Sequence, residues 1–201
     1  MPAAAQHLLV FALAAAAAWC LAIYFWPRLL LSVYKRALLV KGFGGGPIPL
    51  NTLYTQPQEL FAQPLSAQTG KGSNLMTVGV NHDTLSTAAW LDLRRGPLVL
   101  HVPDTAGRYY SVQFTDPRTN TNFAYVGKRA TGTQAGDYLI AGPGGPGQAP
   151  DGLPHVSAPT HEVLLLARVL VENDADLPAA YELSRQFQLT PLSEWHSAAG
   201  G

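Results

Sequence analysis

The longest apolar run in the chain, Leu8 to Trp26, reads LLVFALAAAAAWCLAIYFW, 19 residues with no charge and no strong turn former. A bilayer crossing takes about 20 such residues, so the run is a transmembrane candidate. A cleaved signal peptide is the rival, but it has a positive n-region, an apolar stretch of roughly 7–15 residues and a small-x-small cleavage site. Residues 2–7 hold no Lys or Arg, and the run closes on Tyr24, Phe25 and Trp26, aromatics that suit a membrane interface. A retained anchor is the expectation. From Arg28 to Lys41 the pattern turns amphipathic, with Arg28, Ser32, Lys35 and Arg36 at i, i+4, i+7 and i+8 among Leu and Val. This basic juxtamembrane helix (28–41) either lies on lipid with its cations among anionic headgroups, or continues the spanning helix with snorkelling side chains.

Residues 42–49, GFGGGPIP, then predict a flexible hinge that lets the following domain stand off the membrane. Thr55-Gln56-Pro57-Gln58 has capping-box spacing and predicts a short helix from Pro57 to Gln63. Beyond Gly70 the period changes to two. Residues 75–80, 84–93, 97–102, 108–115, 121–127 and 137–141 are short, rich in β-formers and separated by Gly, Pro, Asp or Asn. Leu98, Leu100 and Val102 share one face of their strand, as do Tyr110, Val112 and Phe114. Residues 142–154 predict a loop, because four prolines and five glycines in thirteen positions defeat both helix and ladder. Two helices are expected at the end, Glu162 to Asn173 capped by Thr160, and Leu177 to Gln188 capped by Asp176 with Pro178 in its first turn. The nearly all-apolar VLLLARVLV of the first should be buried, and residues 194–201 read as a frayed tail. The pattern as a whole predicts a mainly β protein, an antiparallel β-sandwich or jelly-roll-like domain with C-terminal helices behind an N-terminal transmembrane helix.

Charge changes this picture in one respect. The chain of 201 residues is neutral overall, yet residues 1–44 carry +4 and residues 45–201 carry −4. The two parts meet different surroundings, and no run of Lys and Arg in the body suggests a nucleic-acid partner. The single Cys20 cannot form an internal disulfide, and in a membrane helix it reads as a buried thiol. No two of the six histidines stand at the spacing that brings imidazoles to one ion, so no metal is expected. The glycines at 142–154 and Gly70-Lys71-Gly72-Ser73 both fail the phosphate-loop spacing, no nucleophile elbow is present, and no cofactor is expected.

What remains for chemistry is a polar constellation in and between the strands: Asn81, Asp83, Thr84, Trp90, Asp92, Asp104, Arg108, Tyr109, Gln113, Asp116, Asn120 and Arg129. Asn, Asp and Gly are turn residues that bond their own backbone, and Asp104 to Gly107 reads as such a turn. Asp83, Asp92, Arg108 and Arg129 are expected to be paired or networked, because charges entering a sheet domain need partners.

The same positions carry a resemblance. Asn81-His82-Asp83-Thr84-Leu85, Trp90-Leu91-Asp92-Leu93, Gly96-Pro97, Val102-Pro103-Asp104, Gly107-Arg108-Tyr109-Tyr110, Gln113, Asp116, Thr119-Asn120, Gly127, Arg129, Thr131-Gly132, Gly142-Pro143, Pro159-Thr160, Arg168 and Leu189 to Leu192 resemble the bacterial domain of unknown function 1254 over about residues 50–193. Ser86 departs from it, standing where that family commonly has Tyr. The resemblance implies a sandwich-like fold and an exported or envelope-anchored setting. Many members continue into a second domain, of unknown function 1214, so a separate 1214-like polypeptide is the expected partner beside the lipid bilayer.

The family setting implies a single pass through the bacterial inner membrane with the body in the periplasm. The four basic residues lie C-terminal to the span, which by the positive-inside rule argues for a cytoplasmic body. The expected function is a membrane-anchored envelope protein acting as a binding or assembly module. The alternative is part of an enzyme acting on a glycan or small envelope metabolite, with carboxylates such as Asp83 and Asp104 as acid and base.

Overall fold

The computed structural model describes residues 3–41, 46–58, 83–145, 150 and 152–195. The expected strand 75–80, Asn81, and the expected helix from Pro57 to Gln63 beyond Gln58 lie outside the described residues. One helix, α1, runs without a break over Ala3–Lys41. Its 39 residues amount to about 58 Å at 1.5 Å per residue. The basic segment after Trp26 therefore continues the apolar one, and Pro27, which removes one backbone donor, does not end it.

Among the described residues nine strands follow: β1 (Tyr54–Thr55), β2 (Thr84–Asp92), β3 (Leu98–Val102), β4 (Tyr110–Asp116), β5 (Thr121–Gly127), β6 (Gly136–Ala141), β7 (His155–Ser157), β8 (Glu162–Leu170) and β9 (Gln188–Pro191). They form two sheets, in orders β1-β2-β8-β4-β5 and β7-β6-β3-β9, with every pairing antiparallel except β6 with β7. Five strands predicted from β-rich runs between turn residues are present with ends shifted by at most two residues. The sheets face each other across one core, to which β2 gives Leu85, Ala89 and Leu91, β4 gives Tyr110, Val112 and Phe114, and β3 gives Leu98, Leu100 and Val102. A short helix, α2 (Leu177–Arg185), closes one end with Leu177 and Ala180, and Phe187 just after it meets the Tyr110 ring edge-on at 6.0 Å.

The expected helix from Glu162 to Asn173 is a strand instead. Val163, Leu165, Ala167 and Val169 of β8 point into the core, while Glu162, Leu164, Leu166, Arg168 and Leu170 point outward. β8 lies between β2 and β4, so all of its backbone groups are wanted by two neighbours. The helical reading failed because Leu164 is apolar for a second reason. The outer face of this sheet is itself covered there by α1, which hides the alternation a one-sided strand would show. Thr160 caps nothing; its hydroxyl donates to Asp116 and lies 2.9 Å from the Glu162 carbonyl oxygen. α2 stops at Arg185 because Gln188 already belongs to β9, and Asp176 makes no cap bond there. Asn173 accepts from the N–H groups of Ala175 and Asp176 and caps the 3-10 turn that leads into α2.

The expected hinge is only partly described, and its described part does not stand away from the domain. Ile48 is 4% exposed and packs with Leu38 of α1 and Trp90 of β2. The tail begins as a turn, in which the N–H groups of Glu194 and Trp195 donate to the Pro191 carbonyl.

At Gly127 a Cβ would lie 2.7 Å from the Tyr110 carbonyl oxygen and 2.9 Å from Ser111 Cα, both backbone atoms of the neighbouring strand. At Gly136 the nearest atom to a Cβ is 3.5 Å away, on the Tyr138 ring. Gly127→Ala is therefore expected to lower unfolding stability by about 2 kcal/mol and Gly136→Ala to change it by less than about 1 kcal/mol. Denaturant unfolding of the detergent-solubilised chain checks this; equal effects would contradict the close approach.

Candidate functional site

The outer face of the five-stranded sheet is where α1 meets the domain. Trp90, at an even position of β2, points outward and is 2% exposed. It is covered by Leu38 and Ile48, with Tyr34, Leu39, Leu50, Tyr54 and Leu164 around them. Next to this apolar contact stands Glu162, the first residue of β8. Its carboxylate accepts from Lys35 Nζ at 2.7 Å, Arg94 Nη2 at 3.1 Å and the Trp90 indole N–H at 3.4 Å. The Lys35 ammonium also lies 5.1 Å from the centre of the Trp90 ring, within cation–π range. Burial pushes the Glu162 carboxyl up, but the bonds from Lys35 and Trp90 and the charge of Arg94 outweigh it and hold the group below its ordinary value. Arg94 bonds Asp92 as well, through Nε at 2.8 Å, and that bond lowers the Asp92 carboxyl.

Between α1 and the loops beside Glu162 is a cleft of about 580 Å³. The helix lines it with Arg28, Leu31, Ser32 and Lys35, and the sandwich with Trp90, Arg94, Arg118, His161 and three prolines. Thus three of the four residues of the polar stripe, Arg28, Ser32 and Lys35, turn toward the domain. Asp116 holds the cleft loops in place. It is 2% exposed and accepts from the Arg118 N–H, the Thr119 hydroxyl and the Thr160 hydroxyl, joining the β4–β5 turn to the strand before β8. Burial raises its carboxyl, and these bonds more than reverse the shift. Gly142 leaves room for His161, since a Cβ there would be 2.7 Å from the ring Nδ1.

The other predicted positions lie elsewhere. Arg108 grips Asp176 with both terminal nitrogens, the Nη2 to Oδ1 bond being 2.6 Å, and also donates to the Leu170 carbonyl. The Arg108 guanidinium, helped by the Glu172 N–H, pulls the Asp176 carboxyl down to about 2. Tyr109 and Arg129 meet at 5.6 Å across a second cleft, of about 320 Å³, that Gln113 and Arg168 also line. Gln113 donates to Thr115 and Asn122 on the outer face. Asp104 accepts the Ala106 N–H in the expected turn, and Asn120 takes a left-handed φ of 57° in the β4–β5 turn. Thr84 is buried at the start of β2, and the Asp83 carbonyl accepts from Val171. Ser86 sits beside Arg168 in the β2–β8 register.

Eleven of the twelve predicted residues are described, and they are distributed, with Trp90 and Asp92 at the helix junction and Asp116 and Asn120 close by at the β4–β5 turn. Asp83 and Asp104, the pair named as acid and base, line neither cleft. Sequence reasoning missed Glu162, Arg94, Arg118 and Asp176. Arg94 and Arg118 carry no motif, and Glu162 and Asp176 read from the sequence as helix ends.

Residues 62–191 match a family model described as a protein of unknown function, DUF1254. This chain belongs to the DUF1254 family. Among solved structures, this DUF1254 protein is similar to the VPA0106 protein from Vibrio parahaemolyticus, with a TM-score of 0.60 and 25% identity. That match covers 85% of this chain and 37% of VPA0106, so the chain spans little more than a third of that relative's length. A structure of an uncharacterized protein from Burkholderia cenocepacia is similar at a TM-score of 0.37 and 12% identity, over 61% of this chain and 33% of the other. No curated protein matches it.

The Arg108–Asp176 pair gives the DUF1254 domain a pH signature. Because the Asp176 carboxyl is depressed to about 2 in the folded state, its contribution is full above about pH 4 and disappears as pH falls through about 2. Arg108→Met should cost about 2–3 kcal/mol at pH 7, since it strands a partly buried carboxylate, and distinctly less near pH 2. Urea unfolding across that range measures it; an equal loss at both pH values would rule out the pair as the cause.

Proposed function

We propose that this chain is a single-pass protein of the bacterial inner membrane whose sandwich serves as a binding or assembly module on the periplasmic side. The observation that carries the reading is the packing of α1 against the domain. A leader that is cut away has no reason to contribute buried residues to the mature fold. Here Leu38 is 2% exposed against Trp90, and Lys35 bonds Glu162. The N-terminal half of the same helix is long and apolar enough to cross a membrane, with none of its apolar window buried in the domain. The envelope setting and the outward orientation rest on the family resemblance.

The module reading has support of its own. The match leaves 63% of VPA0106 uncovered (100 − 37), so this fold has further polypeptide attached there. We propose that a separate polypeptide resembling the domain of unknown function 1214 meets this domain. The uncovered part of the outer sheet face offers a surface for it. Tyr125 is 52% exposed, the one exposed large apolar side chain outside α1 among the described residues, and it lines the second cleft with Arg129 and Arg168.

Expressed in a bacterial host, the chain should stay in the membrane pellet through alkaline carbonate washing, with an intact mass that includes residues 1–41. A soluble product cut within the span would refute the anchor. A periplasm-active reporter joined after Gly201 should be active, and silence would reverse the orientation. Pull-down from the native host should recover a 1214-like chain, with recovery falling about tenfold for Tyr125→Asp. Capture that is indifferent to Tyr125 would move the partner to another face.

A further inference from the structure

We infer that the cleft between α1 and the sandwich holds the phosphate headgroup of an anionic phospholipid from the bilayer that α1 spans, an inference that rests on the anchoring proposed above. Depth is the first argument. Arg28 follows the aromatic belt Tyr24 to Trp26 by two residues, and Lys35 lies about 10 Å further along the axis at 1.5 Å per residue. The headgroup layer is roughly 5–8 Å thick on each side of the hydrocarbon core, so the mouth of the cleft opens within it. On the other side of the same turns Leu29, Leu30 and Val33 are about half exposed, an apolar ridge suited to the acyl boundary.

Charge is the second argument. Arg28, Lys35, Arg94 and Arg118 line the cleft against one carboxylate, Glu162. Lys35 and Arg94 are bonded to that carboxylate, and the other two cations are not. The Arg28 guanidinium lies 4.0 Å from the Tyr24 ring centre and gives one N–H to the Tyr24 carbonyl, so it is oriented while its other donors remain available. The Arg118 side chain makes no hydrogen bond or ion pair among the described residues. Its backbone is fixed by Asp116. Two guanidiniums match a phosphodiester monoanion, which each can bind through paired N–H groups. Leu31 and Trp90 provide an apolar wall for the glycerol and first methylenes. A zwitterionic choline headgroup would bring its own cation against Arg28 and Arg118, so the site discriminates by charge.

The test uses the full chain in nanodiscs of phosphatidylcholine containing a minor fraction of phosphatidylglycerol, with retained lipid counted by native mass spectrometry after release into mild detergent. Phosphatidylglycerol should be retained about tenfold over its share of the disc, and the double variant Arg28→Gln/Arg118→Gln should bring retention back to that share. Arg129→Gln, at the second cleft, should leave the preference intact. Circular dichroism confirms that the variants fold. Failure of the chain to enter discs would overturn both the anchor and this site. Entry without lipid selectivity, or selectivity untouched by the double variant, would overturn the site alone. If inorganic phosphate binds the detergent-solubilised chain through Arg28 and Arg118 while phosphatidylglycerol shows no preference, the ligand is a free anion and the lipid assignment falls.

Discussion

The carboxylate of Glu162 is the point on which the arrangement of helix and sandwich turns. A carboxylate at the covered end of a sheet loses hydration and must recover it from fixed donors. Glu162 finds three, from a helix, a neighbouring strand and the turn after that strand. Lys35 can reach it only if α1 continues as a helix past Trp26 and lies along the outer face of the sheet, which brings Leu38 onto Trp90 and draws Ile48 over both. The apolar contact supplies most of the attraction, and the ion pair sets the register in which it is made.

That constraint explains the composition of the outer sheet face. Where α1 and the residues after it lie, the even positions of β2 and β8 are Trp90 and Leu164; farther along the same strands they become Ser86 and Arg168. One strand therefore passes from a two-sided core to a one-sided surface within its length. The loops beyond the covered end inherit the geometry. Asp116 binds two of them together, and the cations that line the junction are brought from chain positions 28, 35, 94 and 118. Arg108 and Asp176 hold the stretch after β8 to the start of β4, with the Leu170 carbonyl as a third partner.

Much of this was legible from the chain, and the exceptions have physical causes. Alternation located β3 and β4 because every residue on one face of each, Leu98, Leu100 and Val102 and then Tyr110, Val112 and Phe114, is apolar and enters the core, although Val99 and Thr115 are buried on the opposite faces as well. It failed at β8, where Leu164 and Leu166 point outward, Leu164 against α1. β1, β7 and β9 are two to four residues long, too short to display a period. Among the site residues, Asp104 and Asn120 behave as the turn formers they were expected to be, and Arg108 and Asp92 are paired as charges near a sheet must be. Asp92 meets Arg94 only two residues on, but the long-range partners were not readable, since Arg108 meets Asp176 across 68 residues and Lys35 meets Glu162 across 127.

The sequence by itself determined what is local: an apolar helix of membrane length, a set of half-buried strands, turns at Asn, Asp and Gly, and the family to which the middle of the chain belongs. These follow from period, propensity and motif, which are properties of neighbours along the chain. Tertiary structure decided which face each element presents. The basic stripe after Trp26 reads equally well as a helix lying on lipid or as the end of the spanning helix with snorkelling side chains, because amphipathicity specifies that a helix has two sides and not what lies against them. Only the fold puts Glu162 within 2.7 Å of Lys35 and turns scattered arginines into one cationic cleft, since pairing between distant residues depends on the path of the backbone in space.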